Sequence, residues 1–425
     1  MARNRQRNDP VTALDVGTTK VACFVATADE NGDLRVLGVG HHRSRGMRNG
    51  QVADMAQLEE SVRAAVDAAE QTAGVRVGDI CINVTGGGLH CRNVDAEVSV
   101  AGHAIRDNDV RRILEQGHQF LLAEGGDREL IHCIPTGYTI DGTDGIVDPR
   151  GMYGDRLGVR IHMVAAGGGA LRNLANVIDR CHLRIESRTA SAHASAVACT
   201  VDDEKEMGVT VIDMGGGTTS ISVFLDGHPI FADVVPVGGN HVTNDIARGL
   251  STPAGMAERL KTVWGTVHSA PADARELLKV PQVGEDEDAG AQEIPRSELV
   301  RIIRPRIEET FELVRARLST AGMLHAAGRR VVLTGGASQL QGLREMAELV
   351  LDKQVRLGRP RRIRGVPENA LGPAFSACAG LLRYAIRDQA FRTTPADADM
   401  AGLVERNARP SRGIGRVLGW LKENI

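Results

Sequence analysis

The sequence predicts an α/β chain of two related halves with a ligand cleft between them, and three observations predict it. Residues 12–25 (TALDVGTTKVACFV) and 210–224 (TVIDMGGGTTSISVF) repeat one pattern: apolar strand, Asp, Gly/Thr-rich turn, second β-branched strand. The two copies lie about half a chain apart, the spacing of duplicated halves rather than of a solenoid, whose periods are about 20–50 residues. Strand-like and helix-like periodicities alternate in both halves. Glycine is abundant, 49 of 425 residues, where average usage of about 7% predicts roughly 30. Such an excess marks places where backbone passes close to backbone or to a ligand.

In chain order, the first copy of the repeat forms two strands joined by the turn at Gly17. Residues 55–73 place Leu58, Val62, Ala65, Val66 and Ala69 at helical spacing, and Gly74 stops that helix. Residues 78–84 read as a strand ending at Thr85-Gly86-Gly87-Gly88. Segment 91–162 differs, with short alternating strands (Val94 to Val100, Ile131 to Ile140, Val159 to Val164) and one helix near 107–122, which reads as a small α/β insertion in the first half. Helix 170–181 follows, and 183–199 leads into an Ala-rich helix. After the second repeat copy come a long helix over 297–320, expected to bend at Pro305, a buried strand over 330–334, and a helix over 373–387. Residues 284–293 are acidic and read as a solvated loop, and 392–411 read as a polar linker.

Composition narrows the function. A hydrophobic fraction of 42% and a charged fraction of 25% are those of a folded chain. A net charge of −3 carries no basic footprint for nucleic acid. Seven scattered cysteines without a C-x-x-C pair read as reduced thiols. The polar N-terminus lacks the apolar core of a signal peptide, and no run of about 18 apolar residues spans a membrane.

The turns carry the chemistry. Glycine lets backbone N–H groups point at phosphate oxygens without Cβ clashes. Gly17, Thr18, Thr19 and Lys20 form the first such turn, and Gly215, Gly216, Gly217, Thr218 and Thr219 the second. Gly238 and Gly239 form another close turn, and Gly335-Gly336 a turn fit to pass near a nucleoside. Asp15 and Asp213 precede the first two turns and suit a Mg²⁺ held through its waters. A lone G-G-G is only a tight turn; D-x-G-T-T-K, D-x-G-G-G-T and T-G-G-A in that order point together to a nucleotide. Neither a Walker A motif nor G-x-G-x-x-G occurs.

These motifs resemble the actin/DnaK/sugar-kinase ATPase superfamily. IPTGYTIDGTDGIVDPRGMYGDRLGVRIHMV (134–164), VVPVGGNHVTNDIARGL (234–250) and VVLTGGASQLQGL (331–343) are similar to the FtsA family of actin-like bacterial division proteins. The resemblance implies an actin-like ATPase fold, with two ribonuclease-H-like halves around a cleft for ATP and Mg²⁺. It implies a first core subdomain over 11–90 and 163–205 and an inserted subdomain over 91–162. A second core over 206–247 and 330–388 would carry its own insertion over 248–329, followed by a linker over 389–411. It further implies binding of the FtsZ C-terminal tail on 248–329, self-association into actin-like filaments, contacts with other divisome proteins, and a place on the cytoplasmic face of the inner membrane at the division septum. Arg301, Arg304 and Arg306 are candidates to meet acidic groups of that tail, with a solvated helix face as the other reading.

The C-terminus, RGIGRVLGWLKENI (412–425), places Ile414, Val417, Leu418, Leu421 and Ile425 on one helical face, with Trp420 beside it, Arg412 and Arg416 opposite and Lys422 flanking. Across 401–425 five basic residues face only Glu405 and Glu423. This is the pattern of a helix lying in an anionic membrane interface; packing against the protein's own core is the alternative. The run Arg356, Arg359, Arg361, Arg362, Arg364 is also basic. On hydrolysis, DnaK-type chaperones carry N-E-P-T-A-A-A, with a Glu near the phosphates. The comparable E-S-R-T-A-S-A (186–192) has Ser187 there, so at most weak turnover is expected. An actin-fold small-molecule kinase or a chaperone-type ATPase are the alternatives.

Overall fold

The computed structural model describes residues 9–29, 32–123, 126–284 and 291–391. They divide into two compact units, one running to Arg92 and resuming over Ala166–Asp388, the other Asn93–Ala165.

The first unit opens with an antiparallel meander, β1 (Val11–Val16), β2 (Lys20–Ala28) and β3 (Leu34–Arg43), then a small ribbon of β4 (Met47–Arg48) and β5 (Gln51–Val52). Helix α1 (Met55–Ala73) starts where the Asp54 carboxylate accepts from Gln57 N at 3.1 Å and stops at Gly74. Its apolar stripe, the five positions of helical spacing, is buried against the sheet together with Ser61. Strand β6 (Asp79–Val84) pairs parallel with β1.

The second unit holds β7 (His90–Ser99, entering from the first unit), α2 (Asp107–Ala123), β8 (Arg128–Ile140), β9 (Thr143–Ile146) and β10 (Arg156–Gly167, leaving into it). Its strands run in the order β7-β10-β8-β9. Val94, Ile113, Leu114, Leu130, Leu157 and Ile161 form its core.

Back in the first unit, α3 (Gly168–Arg180) leads to β11 (Arg184–Ala190), which extends the first sheet to β11-β6-β1-β2-β3. Helices α4 (Ser191–Cys199) and α5 (Asp202–Met207) connect to the second meander, β12 (Val209–Met214), β13 (Thr219–Leu225) and β14 (His228–Val235). Helices α6 (Gly239–Gly249) and α7 (Ala254–Trp264) follow, then a hairpin of β15 (Leu277–Pro281) and β16 (Ala291–Pro295), then α8 (Arg296–Thr320). Pro305 lies within α8, which continues through it as one helix. After α9 (Met323–Ala326) come β17 (Arg330–Thr334), α10 (Leu343–Leu351), β18 (Gln354–Leu357) and α11 (Ser376–Phe391).

The second sheet runs β14-β13-β12-β17-β18. Each sheet is an antiparallel meander whose first strand is joined by two parallel strands. The sequence repeat is thus a repeat of topology. Between the sheets sits one shared core. Val11, Ala13 and Phe24 of the first and Val211, Phe224 and Val332 of the second close on α4 and α11. All nine residues of α4 are buried. At Gly380 of α11 a Cβ would lie 1.8 Å from the Ala194 carbonyl oxygen, so only glycine lets these helices approach this closely.

Two sequence readings change. Residues 291–293, read as loop, open β16, because Ile294 buries against the second core while its neighbours face out. Helix α11 continues to Phe391, past the linker start read at 389. The segment from 392, including Arg412 to Ile425, lies outside the described residues. All seven cysteines are free, as read, and Cys23, Cys81, Cys199 and Cys378 are buried. Burial holds the thiols of Cys23 and Cys133 at about 12 and those of Cys91 and Cys181 at about 11, and keeps Cys199 and Cys378 raised as well. No helix among the described residues is long and apolar enough to cross a membrane.

Candidate functional site: a cleft between two matching turns

The two meander turns share one geometry. Gly17 N donates to Lys20 O at 3.0 Å, and Gly215 N donates to Thr218 O at 2.8 Å. Asp15 and Asp213 are each the penultimate residue of their strand, opposite Ala22 and Ser220. Between the turns lies a cavity of about 590 Å³. On one wall are Asp15, Gly17, Thr18, Thr19 and Lys20; on the other Asp213, Gly215, Gly216 and Thr218; Gly238, Gly239, Gly335 and Gly336 complete it. Two residues read from sequence as part of the site do not line it. The Thr219 hydroxyl is turned inward and donates to Val237 O at 2.8 Å. Gly217 packs against the opposite turn, where a Cβ would meet Thr18 Oγ1 at 2.5 Å.

The closeness of these walls is tightest at two glycines. Gly335 has φ +90°, and a Cβ there would lie 2.2 Å from Asp213 Oδ1. At Gly216 a Cβ would lie 2.3 Å from Thr19 Cγ2 of the opposite turn.

The charges are few and buried. Asn83 Nδ2 donates to Asp15 Oδ1 at 2.7 Å, while Asn83 Oδ1 accepts from Val16 N at 2.7 Å. Burial pushes the Asp15 carboxyl up to about 7, with Lys20 opposing and Asp213 adding to the rise. Burial also raises Asp213, against the Ser195 hydroxyl that donates to it at 2.5 Å and the charge of Lys20. Lys20 donates to Ala374 O at 2.5 Å and sits 3.1 Å over the Phe375 ring centroid. Burial lowers its ammonium, against the pull of Asp15. Two raised carboxylates thus share one lysine, an arrangement that a further cation entering the cavity would relieve.

Sequence reasoning missed the wall opposite the turns. Lys261 Nζ of α7 donates to Gly239 O, Thr243 Oγ1 and Glu258 Oε2 at 3.1, 2.8 and 2.6 Å, and both Lys261 and Glu258 line the cavity. Their i,i+3 spacing was the only signal available. Asn83, Thr85 and Ser191 form a second missed group; Asn83 Nδ2 donates to Ser191 Oγ at 3.1 Å. Ser187 lies on β11 opposite Cys81, outside the cavity lining, with its hydroxyl buried and without a hydrogen-bond partner. Arg306 is held by Asp245 at 2.6 Å and Glu309 at 2.5 Å, Arg301 pairs with Glu298 at 2.6 Å, and Arg304 is exposed.

Residues 210–380 match the family described as cell division protein FtsA, and residues 86–165 match the SHS2 domain inserted in FtsA. The cell division protein FtsA of Rhizobium meliloti (strain 1021) is 42% identical over 99% of this chain and 96% of its own length. That of Pseudomonas aeruginosa is 34% identical over 90% and 91%. That of Escherichia coli (strain K12) is 30% identical over 98% of each. Among solved structures, the PilM-PilN type IV pilus biogenesis complex matches with a TM-score of 0.64 at 16% identity, over 88% of this chain and 98% of that one. MreB5 of Spiroplasma citri bound to ADP matches with a TM-score of 0.53 at 12% identity, over 91% and 98%. The structural likenesses establish the actin-like fold.

Proposed function

The chain belongs to the FtsA family of actin-like cell division proteins, and on that premise we propose that it binds Mg-ATP in the cleft and ties FtsZ filaments to the cytoplasmic membrane at the septum. The observation that carries the nucleotide reading is the pair of matching turns, with Asp15 and Asp213, on one cavity. Backbone N–H groups of Thr18, Thr19, Gly216 and Thr218, which line the cavity, would hold the phosphates, with Lys20 beside them. Gly335-Gly336 and the Glu258/Lys261 pair would face the nucleoside. The cavity fits a hydrated magnesium. Among the described residues no group of three His, Cys, Asp or Glu is placed to hold a metal by side chains alone. Asp15 and Asp213, both raised, would instead hold it through water beside the phosphates. When bound, the ion supplies positive charge that neutralises the phosphate oxygens.

Apart from Asp15 and Asp213, the cavity offers Glu258 as its one further carboxylate, and Glu258 is held by Thr243 and Lys261. Ser187 supplies no carboxylate. ATP then acts chiefly as a closing ligand. A nucleotide at 100 times its Kd stabilises the closed form by about 2.7 kcal/mol and favours filament contacts. A turnover of many per second by the purified protein would refute this.

The terminal segment supplies the membrane anchor. Ile414, Val417, Leu418, Leu421 and Ile425 would enter the acyl boundary, with Trp420 at the interface and Arg412, Arg416 and Lys422 toward anionic headgroups. Subdomain 248–329 is the proposed seat of the FtsZ tail, where Arg304, exposed on α8, is best placed to meet it. The decisive experiment follows a fluorescent fusion of the full chain in dividing cells. We expect a septal membrane band that Trp420→Glu or Leu421→Glu disperses; diffuse full-length protein would sink the adaptor reading.

A further inference from the structure

A second cavity, of about 450 Å³, shares no lining residue with the first. Arg330 of β17, Arg356 of β18, Arg359 and Arg361 line it, with Glu204 and Asp203 of α5. Arg356 grips Glu204 with Nε and Nη2 at 2.7 and 2.6 Å and donates to Cys199 O at 2.8 Å. That fork is internal and neutral, and it builds the wall. The side chains of Arg330 and Arg359 are exposed and make no ion pair within 4 Å among the described residues, though the Arg330 charge acts on Glu204. Arg361 Nε is buried without a hydrogen-bond partner. Arg383 of α11 lies against the same loop and donates to Arg361 O at 3.1 Å, and burial, followed by the charge of Arg361, lowers its guanidinium. Arginine charges are crowded here with donors left over. Beside them stand two exposed apolar side chains, Val201 at 45% and Met207 at 58%.

We propose that this cavity is a second membrane contact, seating the phosphate of an anionic phospholipid headgroup between Arg330, Arg359 and Arg361, with Val201 and Met207 at the lipid boundary. Guanidinium forks match phosphate oxygens, and the exposed Arg330 and Arg359 offer theirs to the cavity mouth. Apolar side chains among arginines suit an interface better than they suit water. The place is compatible with the terminal anchor. Arg383 lies eight residues before Phe391, about 12 Å along the helix, and the chain runs on from there through residues 392–411 to the proposed anchor at 412–425. Two contacts on one membrane reinforce each other through effective concentration. The inference rests on the membrane reading above.

The test uses the full chain carrying Leu418→Glu and Leu421→Glu, which removes the terminal anchor, in vesicle co-sedimentation. We expect this chain to bind phosphatidylglycerol vesicles weakly and to leave pure phosphatidylcholine vesicles unbound. Adding Arg330→Gln and Arg359→Gln should weaken the phosphatidylglycerol binding about thirtyfold, which is about 2 kcal/mol for two basic residues at about 1 kcal/mol each. Both side chains are exposed, so thermal unfolding should not change. Equal binding with and without the two arginines overturns the proposal, as does no binding by the anchor-less chain. Inorganic phosphate, titrated by calorimetry, separates the sources. If it binds in an arginine-dependent way while vesicles do not, the lipid assignment is overturned. The two readings fail separately: the anchor fails if Leu418→Glu with Leu421→Glu leaves binding at its native strength, and the cavity fails if the arginine pair has no effect in either background.

Discussion

Replacing Asp15 by Asn probes the strain that burial in the cleft places on this carboxylate. The fold moves the Asp15 carboxyl from 3.8 to about 7, which at about 1.36 kcal/mol per pH unit is about 4 kcal/mol. The direction follows from proton counting. The folded chain holds this proton to higher pH than the unfolded chain does, so stability falls as pH rises from about 4 to about 7 and stays lower above that. Asparagine keeps the shape and can still accept from Asn83 Nδ2, without the charge. In the absence of nucleotide, Asp15→Asn should therefore be more stable than the native chain by about 4 kcal/mol at pH 8 and nearly equal to it below about pH 4. An unfolding entropy of about 2.1 cal/mol/K per residue over 425 residues turns this into a rise of about 4–5 °C in midpoint. Differential scanning across that pH range measures it, and repeating the scan with Mg-ATP measures the other half: the native chain should gain stability and the variant little. A variant no more stable than the native chain at pH 8 would show that Asp15 is not held under strain, and the cation argument would fall with it.

Other perturbations have equally definite outcomes. Gly380→Ala drives a Cβ to 1.8 Å from Ala194 O and should cost about 3 kcal/mol or more, read as a lowered denaturant midpoint. Gly216→Ala, with its Cβ 2.3 Å from Thr19 Cγ2, should spread the two turns and weaken nucleotide binding about tenfold or more by calorimetry, with a smaller effect on stability than Gly380→Ala. Lys261→Ala removes a donor to three cleft acceptors and should weaken ATP binding by roughly tenfold, about 1.4 kcal/mol; unchanged affinity would remove Lys261 from the nucleoside wall.

What could be read from sequence had a local cause. The turns at Gly17 and Gly215 were legible because an Asp and its Gly-Thr turn are contiguous, and α1 because Asp54, its apolar stripe and Gly74 fall within one window. Strand 330–334 was legible as a short β-branched run. The β15–β16 hairpin was missed because its connection is acidic and its strands bury only alternate residues, Leu278, Val280 and Ile294. Asn83, Ser191 and Lys261 were missed for a different reason. Each is an ordinary polar residue whose role arises only when sheet order brings β6, α4 and α7 to one cavity. Thr219 shows the converse, since a residue can share a motif with ligand-facing neighbours and still point inward because strand side chains alternate.

The raised thiols have a practical corollary. At neutral pH the six cysteines held at or above about 11, or raised by burial, carry almost no thiolate, and the thiolate is the form that reacts with maleimides and oxidants. A cysteine introduced on an exposed face, such as at Leu349 of α10, can therefore take a fluorophore in the native background, where the seventh cysteine, Cys81, is itself buried. The proposed filament assembly and FtsZ-tail docking thus become open to distance measurements on an otherwise unaltered protein.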